Sequence, residues 1–162
     1  MTARVWDSAF DLLMSVEGGY VNDPNDKGGE TKYGISKKTY PNEDIANLTI
    51  DRAKYLYKRD FWDRCKCDSL PDCLSVAVFD FAVHSGTKLA IKKLQESLSV
   101  KSDGIIGNQT IGAANRIPVN KVLNDYFWRR IMYLIKLKDF KIYGSGWGNR
   151  LDKVKQFCEN LI

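Results

Sequence analysis

The chain has 162 residues, of which 44% are hydrophobic and 12% aromatic, so its composition supports a packed core and excludes a disordered chain. A formal net charge of +5 and a pI near 9.0 indicate an anionic partner, such as nucleic acid, a membrane surface or the bacterial wall. Lysine and arginine are spread along the chain without a block, which disfavours nucleic acid. No apolar run approaches the ~20 residues of a membrane span, so stable membrane insertion is not expected.

The start of the chain is predicted to be helical over residues 1–16. Residues 1–11 carry Arg4 and acids but no apolar core, so they are not a signal peptide, and the chain is expected to accumulate in the cytoplasm. Trp6 and Phe10 begin an apolar stripe with helical spacing, and Glu17 continues that stripe with a carboxyl group. The end of the helix dipole and apolar neighbours would both favour the protonated form, which general acid cleavage of a glycosidic bond requires.

A polar, glycine-rich segment follows Glu17 and is too irregular for a helix. It contains Asp23 and Asp26 in turns, and a short strand or hairpin is predicted over residues 31–35. A buried acid followed by a solvated carboxylate is the arrangement that inverting glycosidases use to hold a water molecule. The alternative is an ordinary solvated glutamate followed by ordinary turns.

Residues 17–36, EGGYVNDPNDKGGETKYGIS, resemble the signature of the glycoside hydrolase 108 family, lysozyme-like N-acetylmuramidases of phage and bacterial origin, some labelled secretion activators. The resemblance implies that Glu17 is the catalytic acid. It also implies a mainly α, lysozyme-like helical fold with a small irregular or β-hairpin loop at the active site. The Glu, Asp, Thr pattern of the wider superfamily falls on Glu17, Asp26 and Thr31, and Asp23 competes with Asp26.

Two elements are predicted in the middle of the chain. Thr49 is a plausible N-cap for a helix over residues 50–64. Residues 73–83 are nearly all apolar and are best explained as a central buried helix, with a buried strand as the alternative. Within it, Asp80 and His84 lie four residues apart, so they could form a structural pair or reach into a cleft. Family members resemble this chain here, often with Asn in place of His84, and this helix borders their substrate groove, so Asp80 and His84 are candidate substrate-binding residues.

The four cysteines are Cys65, Cys67, Cys73 and Cys158. Their spacing lacks the usual zinc knuckle, and the only histidine is not suitably placed, so free buried thiols are expected. A disulfide would require an oxidising compartment. No metal or organic cofactor is implied.

Residues 89–114 resemble the peptidoglycan-binding repeat of many wall hydrolases, with Leu-Gln, then Asp-Gly-Ile-Ile-Gly, then Thr and Ala-Ala. The spacing predicts a helix, a tight turn over residues 102–104 and a second helix from residue 109. The segment either binds a ligand or is simply a helical hairpin that supports the catalytic half.

The C-terminal part is predicted to contain a long helix over residues 119–137, a glycine-rich loop over residues 138–150 and a last helix over residues 151–161. Trp147 lies among the glycines of that loop and could stack on a sugar face or serve as a buried anchor. Tyr20 and Tyr33 are further candidates for sugar contacts.

The residue patterns and the resemblance to the glycoside hydrolase 108 family together predict a peptidoglycan hydrolase, an N-acetylmuramidase acting on glycan strands. Residues 1–86 would form the catalytic part and residues 87–162 a helical, peptidoglycan-binding-like part, packed as one compact unit. A monomer is expected, made in the cytoplasm and reaching the wall after release or export. The alternatives are a lytic transglycosylase and a non-catalytic wall-binding or secretion-associated protein.

Overall fold

The computed structural model describes residues 2–17 and 19–162, and these residues form seven α-helices and one two-stranded hairpin. The mainly α fold with a hairpin after the first helix is therefore confirmed. The elements are α1 (Thr2–Val16), β1 (Thr31–Lys32), β2 (Ile35–Ser36), α2 (Ile50–Tyr57), α3 (Asp72–Ser85), α4 (Thr87–Ser97), α5 (Asn108–Arg116), α6 (Val119–Leu134) and α7 (Phe140–Glu159).

Helix α3 is the centre of the molecule. Every residue from Cys73 to Ala82 is buried, and the helix packs against α1, α4, α6 and α7. A helix that is apolar on all sides must be covered on all sides. The run over residues 73–83 is thus a buried helix, as predicted, and the alternative of a buried strand is wrong. Buried side chains from both halves of the chain join one core around it. The division at residue 86 stays a prediction.

The second helix begins as predicted and ends earlier. The Thr49 hydroxyl accepts a hydrogen bond from the Arg52 N–H at 3.1 Å, so the N-cap is confirmed. The α-helical part ends at Tyr57 and a π-turn follows, in which the Asp63 N–H donates to the Lys58 carbonyl at 2.8 Å. This extra residue per turn lies next to Trp62, which is 1% exposed and packs against the rings of α1 and α3.

The hairpin turns on two residues in left-handed conformation, Tyr33 (φ 53°) and Gly34 (φ 76°). Two positive φ values match the twist of the flanking strands, which is why a two-residue turn is possible here. Upstream, Val21 and Thr31 exchange both backbone hydrogen bonds at 2.8 Å, so the turn-rich segment between them is a closed loop.

The buried amide of Gln95 joins α4 to the turn before α5. Its Nε2 donates to Asp103 Oδ1 and to the Ile105 carbonyl at 2.9 Å, and its Oε1 accepts the Gly104 N–H at 2.9 Å. Thr110 completes the cluster at 3.1 Å. The residues that carry the resemblance to a wall-binding repeat therefore build the interior of the helical hairpin. Ligand binding by this segment stays a prediction.

The predicted loop over residues 138–150 is wrong, because α7 already begins at Phe140. Three glycines in thirteen residues favour a loop, whereas the spacing of Phe140, Trp147 and Leu151 is helical. At Gly144 a Cβ would lie 2.8 Å from the Phe140 ring, so a glycine lets that ring cover the helix surface. Although α7 has 20 residues, no helix in the described part of the chain is long and apolar enough to cross a membrane.

The four cysteines Cys65, Cys67, Cys73 and Cys158 are free thiols, and all are buried. Burial raises the pKa of Cys67 and Cys158 well above the usual thiol range. These side chains therefore act as small apolar core residues.

Candidate active site

Glu17 lies directly after α1, with 21% of its side chain exposed, and its neighbour is a cation rather than the apolar surface expected from the sequence. Its Oε1 accepts a hydrogen bond from Arg150 Nη1 at 3.2 Å. The two residues are 133 positions apart, so α7 must pack beside the end of α1 to make this contact. The carboxylate is thereby oriented by a guanidinium.

The β-hairpin turn lies against the other side of Glu17. A Cβ built on Gly34 would lie 2.9 Å from Glu17 Oε2 and would overlap the Tyr57 hydroxyl, so only a glycine allows the turn to come this close. The Tyr57 hydroxyl donates to the Tyr33 carbonyl at 2.8 Å. Burial, with the nearby Glu17 carboxylate, raises the pKa of Tyr57, so the phenol stays a donor and holds the turn in place.

Behind Arg150 lies a buried cluster formed by Asp80, Arg130 and Arg150. Arg150 donates from Nε and Nη2 to Asp80 Oδ1 at 3.1 and 3.0 Å, and Arg130 Nη1 donates to Asp80 Oδ2 at 2.7 Å. The Asp80 side chain is 3% exposed. Burial opposes its ionisation, but the two guanidinium groups outweigh burial and lower the pKa of Asp80. Asp80 therefore reaches the site through Arg150, and a direct contact with a sugar stays a prediction.

His84 is joined to this cluster through Arg130 rather than through Asp80. Its Nδ1 lies 3.0 Å from Arg130 Nη2. Burial and the guanidinium groups of Arg130 and Arg150 lower the pKa of His84 to about 4, against the smaller opposite effect of Asp80. The ring is consequently neutral near pH 7.

A cavity of about 440 Å³ opens between the end of α1 and α7, and it adjoins Glu17 through two of its lining residues, Val16 and Arg150. It is lined by Val16, His84, Trp147, Arg150 and Lys153, together with Gly146 and Asn149. The Trp147 ring meets the His84 ring edge-on, with centroids 5.7 Å apart. Two predicted substrate-binding residues, His84 and Trp147, are thus brought together, although Trp147 lies on a helix rather than in a loop.

A larger cavity of about 720 Å³ lies elsewhere and includes none of the predicted site residues. Most of its charged groups pair with one another: Arg52 with Glu43 and Arg59 with Asp60, both at 2.7 Å. We take the smaller cavity as the candidate site because it adjoins Glu17 and contains side chains that are not fully paired.

The remaining predicted residues lie on the segment between α1 and the hairpin. Asp23 Oδ1 accepts the Asn25 N–H at 2.9 Å, and Asp26 Oδ1 accepts the Gly28 N–H at 2.8 Å, so each carboxylate stabilises its own turn. Both side chains are exposed. Their equivalent surroundings leave both as candidates for the second carboxylate.

The other three predicted site residues, Thr31, Tyr20 and Tyr33, lie on the same segment or on the hairpin. The Thr31 hydroxyl donates to the Gly29 carbonyl at 3.3 Å. Tyr20 is 48% exposed, and Tyr33 is half-buried with Lys32 Nζ 5.4 Å from its ring centre. Tyr20 is thus free to meet a ligand, and Tyr33 contributes its backbone to the turn beside Glu17.

Comparisons with known proteins agree with this geometry. The sequence profile of glycosyl hydrolase 108 matches residues 10–86. The solved structure of Brucella abortus SagA superimposes with a TM-score of 0.88 at 31% identity, covering 96% of this chain and 94% of that one. The chain belongs to the glycosyl hydrolase 108 family. This confirms the resemblance in residues 17–36 and the lysozyme-like fold, and it supports a peptidoglycan hydrolase of the lysozyme type. No curated protein sequence matches the chain significantly.

The glycosyl hydrolase 108 profile covers Glu17, the hairpin and His84 but ends well before Arg150. Sequence reasoning also missed Tyr57, Arg130 and Arg150, which hold the acid and its surroundings. The nearest signal was the helical spacing of Trp147 and Arg150, which places both on one side of α7 once α7 is known to begin at Phe140.

Proposed function

We propose that this glycosyl hydrolase 108 protein is an N-acetylmuramidase that hydrolyses the β-1,4 bond between N-acetylmuramic acid and N-acetylglucosamine, with Glu17 as the general acid. The observation that supports the proposal most is the position of Glu17. A single carboxyl group is held between a guanidinium and a glycine turn, at the edge of a cavity that contains an aromatic ring and hydrogen-bonding side chains.

Glu17 would donate its proton to the bridging oxygen as the glycosidic bond breaks. The sugar whose bond to that oxygen breaks develops oxocarbenium character. A carboxylate on the opposite face of this sugar either stabilises the positive charge or activates a water molecule that attacks the sugar. Asp26, with Thr31 beside it, or Asp23 would supply that second group. Both aspartates lie in the closed loop between Val21 and Thr31, on the segment that leads from Glu17 to the hairpin.

Arg150 has a defined part in this mechanism. When Glu17 releases its proton, a carboxylate forms 3.2 Å from Arg150 Nη1, and the guanidinium stabilises the new charge. Asp80 and Arg130 neutralise each other, and the ionised Glu17 balances Arg150, so the four groups together then carry no net charge. An interaction that strengthens as the reaction proceeds accelerates the chemical step.

The substrate and setting follow from the surface. A net charge of +5 would raise the encounter rate with the anionic wall, and that attraction should weaken with salt. We propose that the protein acts as a monomer on peptidoglycan glycan strands after release or export, without a nucleic-acid partner.

The test is mass spectrometry of purified peptidoglycan digested with the wild type and with Glu17→Gln. The substitution keeps the side-chain shape and removes the proton donor, so reducing-end muramic acid products should disappear. Anhydro-muramic products would assign a lytic transglycosylase. Equal activity of both proteins would refute the role of Glu17, and release by neither would favour a wall-binding protein.

The matched variants Asp23→Asn and Asp26→Asn identify the second carboxylate. Each keeps the acceptor oxygen that its own turn uses, so stability should change little. The variant that loses most activity marks the group that faces the sugar. The anomeric form of the first product, measured by NMR, then distinguishes inversion from retention.

A further inference from the structure

The cavity beside Glu17 contains the only histidine of the chain. We propose that His84 presents a neutral Nε2–H donor to an acceptor oxygen of the glycan bound in this cavity, next to the bond that is cleaved. The inference rests on the proposed glycan substrate and specifies one of its contacts. The acceptor is a carbonyl or carboxylate oxygen, which a sugar of the wall carries on its acetamido or lactyl group.

The tautomer follows from the partner of the ring. Nδ1 lies 3.0 Å from Arg130 Nη2, and a guanidinium carries only donors. Nδ1 must therefore be the acceptor, and the single proton of the neutral ring is on Nε2. Arg130 does not move freely, because it is fully buried, bonded to Asp80 at 2.7 Å and 4.9 Å from the ring centre of Phe81. The tautomer is thus fixed by the core.

Burial of the ring, together with the charged groups around it, keeps His84 neutral at working pH. Arg130 on α6 and Arg150 on α7 both disfavour a second proton, and Asp80 on α3 favours it but is already bonded to both arginines. Lys153 adds another cation along the same cavity. The Nε2–H therefore stays a donor between about pH 5 and 8.

The position of Nε2 follows from its lack of a partner. No hydrogen bond reaches this atom from the described residues. Within the same part of the chain, Arg130 Nε is the one side-chain nitrogen or oxygen that is both buried and without a partner. His84 Nε2 therefore keeps some exposure to solvent, and His84 is one of the side chains that line the cavity.

The rest of the cavity suits a sugar. The Trp147 ring stands edge-on to His84 and stacks with the Tyr143 ring, with centroids 6.1 Å apart, and the part of it that lines the cavity offers an apolar surface to a sugar. Lys153 is exposed and forms no ion pair with any described residue. A neutral donor, an aromatic ring and an unpaired ammonium together fit an oxygen-rich sugar with a carbonyl or a carboxylate.

The first experiment is a nitrogen–proton NMR correlation on the imidazole, which needs no assignment because the chain has one histidine. In the Glu17→Gln variant, which prevents turnover, the spectrum should show Nε2–H and unprotonated Nδ1 from pH 8 to 5. Adding a chitin or muramyl oligosaccharide should shift the Nε2–H signal. An Nδ1–H tautomer, a titration near pH 6.5, or no shift with either oligosaccharide would overturn the inference.

Two substitutions separate binding from structure. His84→Asn keeps an acceptor for Arg130 in place of Nδ1 but removes the donor at the Nε2 position, whereas His84→Gln can place its amide nearer that position. We expect KM to rise about tenfold for His84→Asn, as for the loss of one hydrogen bond, with kcat and melting temperature little changed. His84→Gln should recover part of the affinity. An unchanged KM for His84→Asn would contradict the proposal.

Lys153→Gln identifies the source of the acceptor oxygen, with Lys141→Gln on the same helix as a control for lost charge. Weaker binding of muramyl but not of chitin oligosaccharides indicates the lactyl carboxylate. If Lys153→Gln has the same effect on the binding of muramyl and chitin oligosaccharides, the acceptor is the acetamido carbonyl, which both carry. A failed muramidase assignment looks different, because it abolishes the products of digestion without changing the tautomer.

Discussion

Two acid–arginine clusters lie beside the two cavities, and they have opposite surroundings. Arg130 and Asp80 are 2.7 Å apart, with side chains 1% and 3% exposed. Arg52 and Glu43 are also 2.7 Å apart, with side chains 46% and 19% exposed. The distances are the same, whereas the exposure of the side chains to solvent is very different.

The comparison shows that the distance between the charged groups does not determine how much an ion pair contributes to stability. Exposed pairs contribute about 0–1 kcal/mol because water competes for both charges. In a buried pair each charge depends on its partner, because desolvation has removed the alternative. Only the buried cluster, which reaches Glu17 through Arg150, can therefore link the stability of the fold to the site.

The largest effect should come from Asp80→Asn. The change removes the counter-charge of Arg130 and leaves Arg150 with Glu17 alone, and we expect about 3–5 kcal/mol lower free energy of unfolding, measured by urea denaturation. The matched change Asp60→Asn, beside the exposed Arg59, should cost about 1 kcal/mol or less. Similar losses of stability in the two variants would contradict the difference proposed between the buried and the exposed cluster.

Arg150→Lys should have the next largest effect, and on activity as well as stability. One ammonium cannot replace a guanidinium that bonds Asp80 and Glu17 together. We expect about 2 kcal/mol lower stability and a loss of at least about tenfold in kcat/KM. Arg52→Lys is the control in the exposed cluster and should leave both quantities nearly unchanged. Full activity of Arg150→Lys would refute its proposed role.

Gly34→Ala tests the other side of Glu17. Alanine at this positive φ costs about 1 kcal/mol, and its Cβ would press on Glu17 Oε2 and the Tyr57 hydroxyl, so activity should fall severalfold. Gly29→Ala carries the same backbone cost at φ +70°, but its Cβ would meet only Lys37 at 3.9 Å. The melting temperature should fall in both variants, and further in Gly34→Ala because of the overlap, whereas hydrolysis should fall only in Gly34→Ala. Equal activities would show that the turn does not position the acid.

The smallest effect should be a pH dependence of stability that comes from His84. Its folded pKa of about 4 lies below the unfolded value of about 6.5, so above pH 6.5 the ring is neutral in both states. As the pH falls from 6.5 to 4, only the unfolded chain binds the proton, and stability falls. The loss is at most about 1.4 kcal/mol per pH unit, and less here because the ring is partly exposed.

Melting temperatures of the wild type and His84→Asn between pH 7 and 4 measure the contribution of His84 to the pH dependence of stability. The difference between the two curves should change mainly below pH 6.5. The exposed cluster contributes in a separate window, because the pKa values of Glu43 and Asp60 are lowered from ordinary carboxyl values. Parallel curves for the two proteins would contradict the His84 assignment.

Much of the fold could be predicted because its signals are local. Thr49 caps α2 through a hydroxyl three residues from the N–H that it binds, and the apolar run of α3 has one stable solution, burial. The start of α7 could not be predicted by composition, since glycine favours loops until a packed ring such as Phe140 compensates for it.

The site was less predictable for the opposite reason. Glu17 was found because its carboxyl group interrupts an apolar stripe and because the following residues resemble a family signature. Arg150 is 70 positions from Asp80 and 133 from Glu17, so no spacing along the chain connects them. The sequence predicts apolar surroundings for Glu17 but not the Arg150 guanidinium beside it, because only tertiary packing brings the two residues together.

The distance along the chain between Glu17 and Arg150 has a consequence for synthesis. The ribosome makes α1 first and α7 last, so the acid leaves the exit tunnel long before its guanidinium does. Until α7 docks, Asp80 has only one of its two cations and Glu17 has none. A nascent or C-terminally truncated chain therefore has an unassembled acid site, and hydrolysis should begin only with the finished protein.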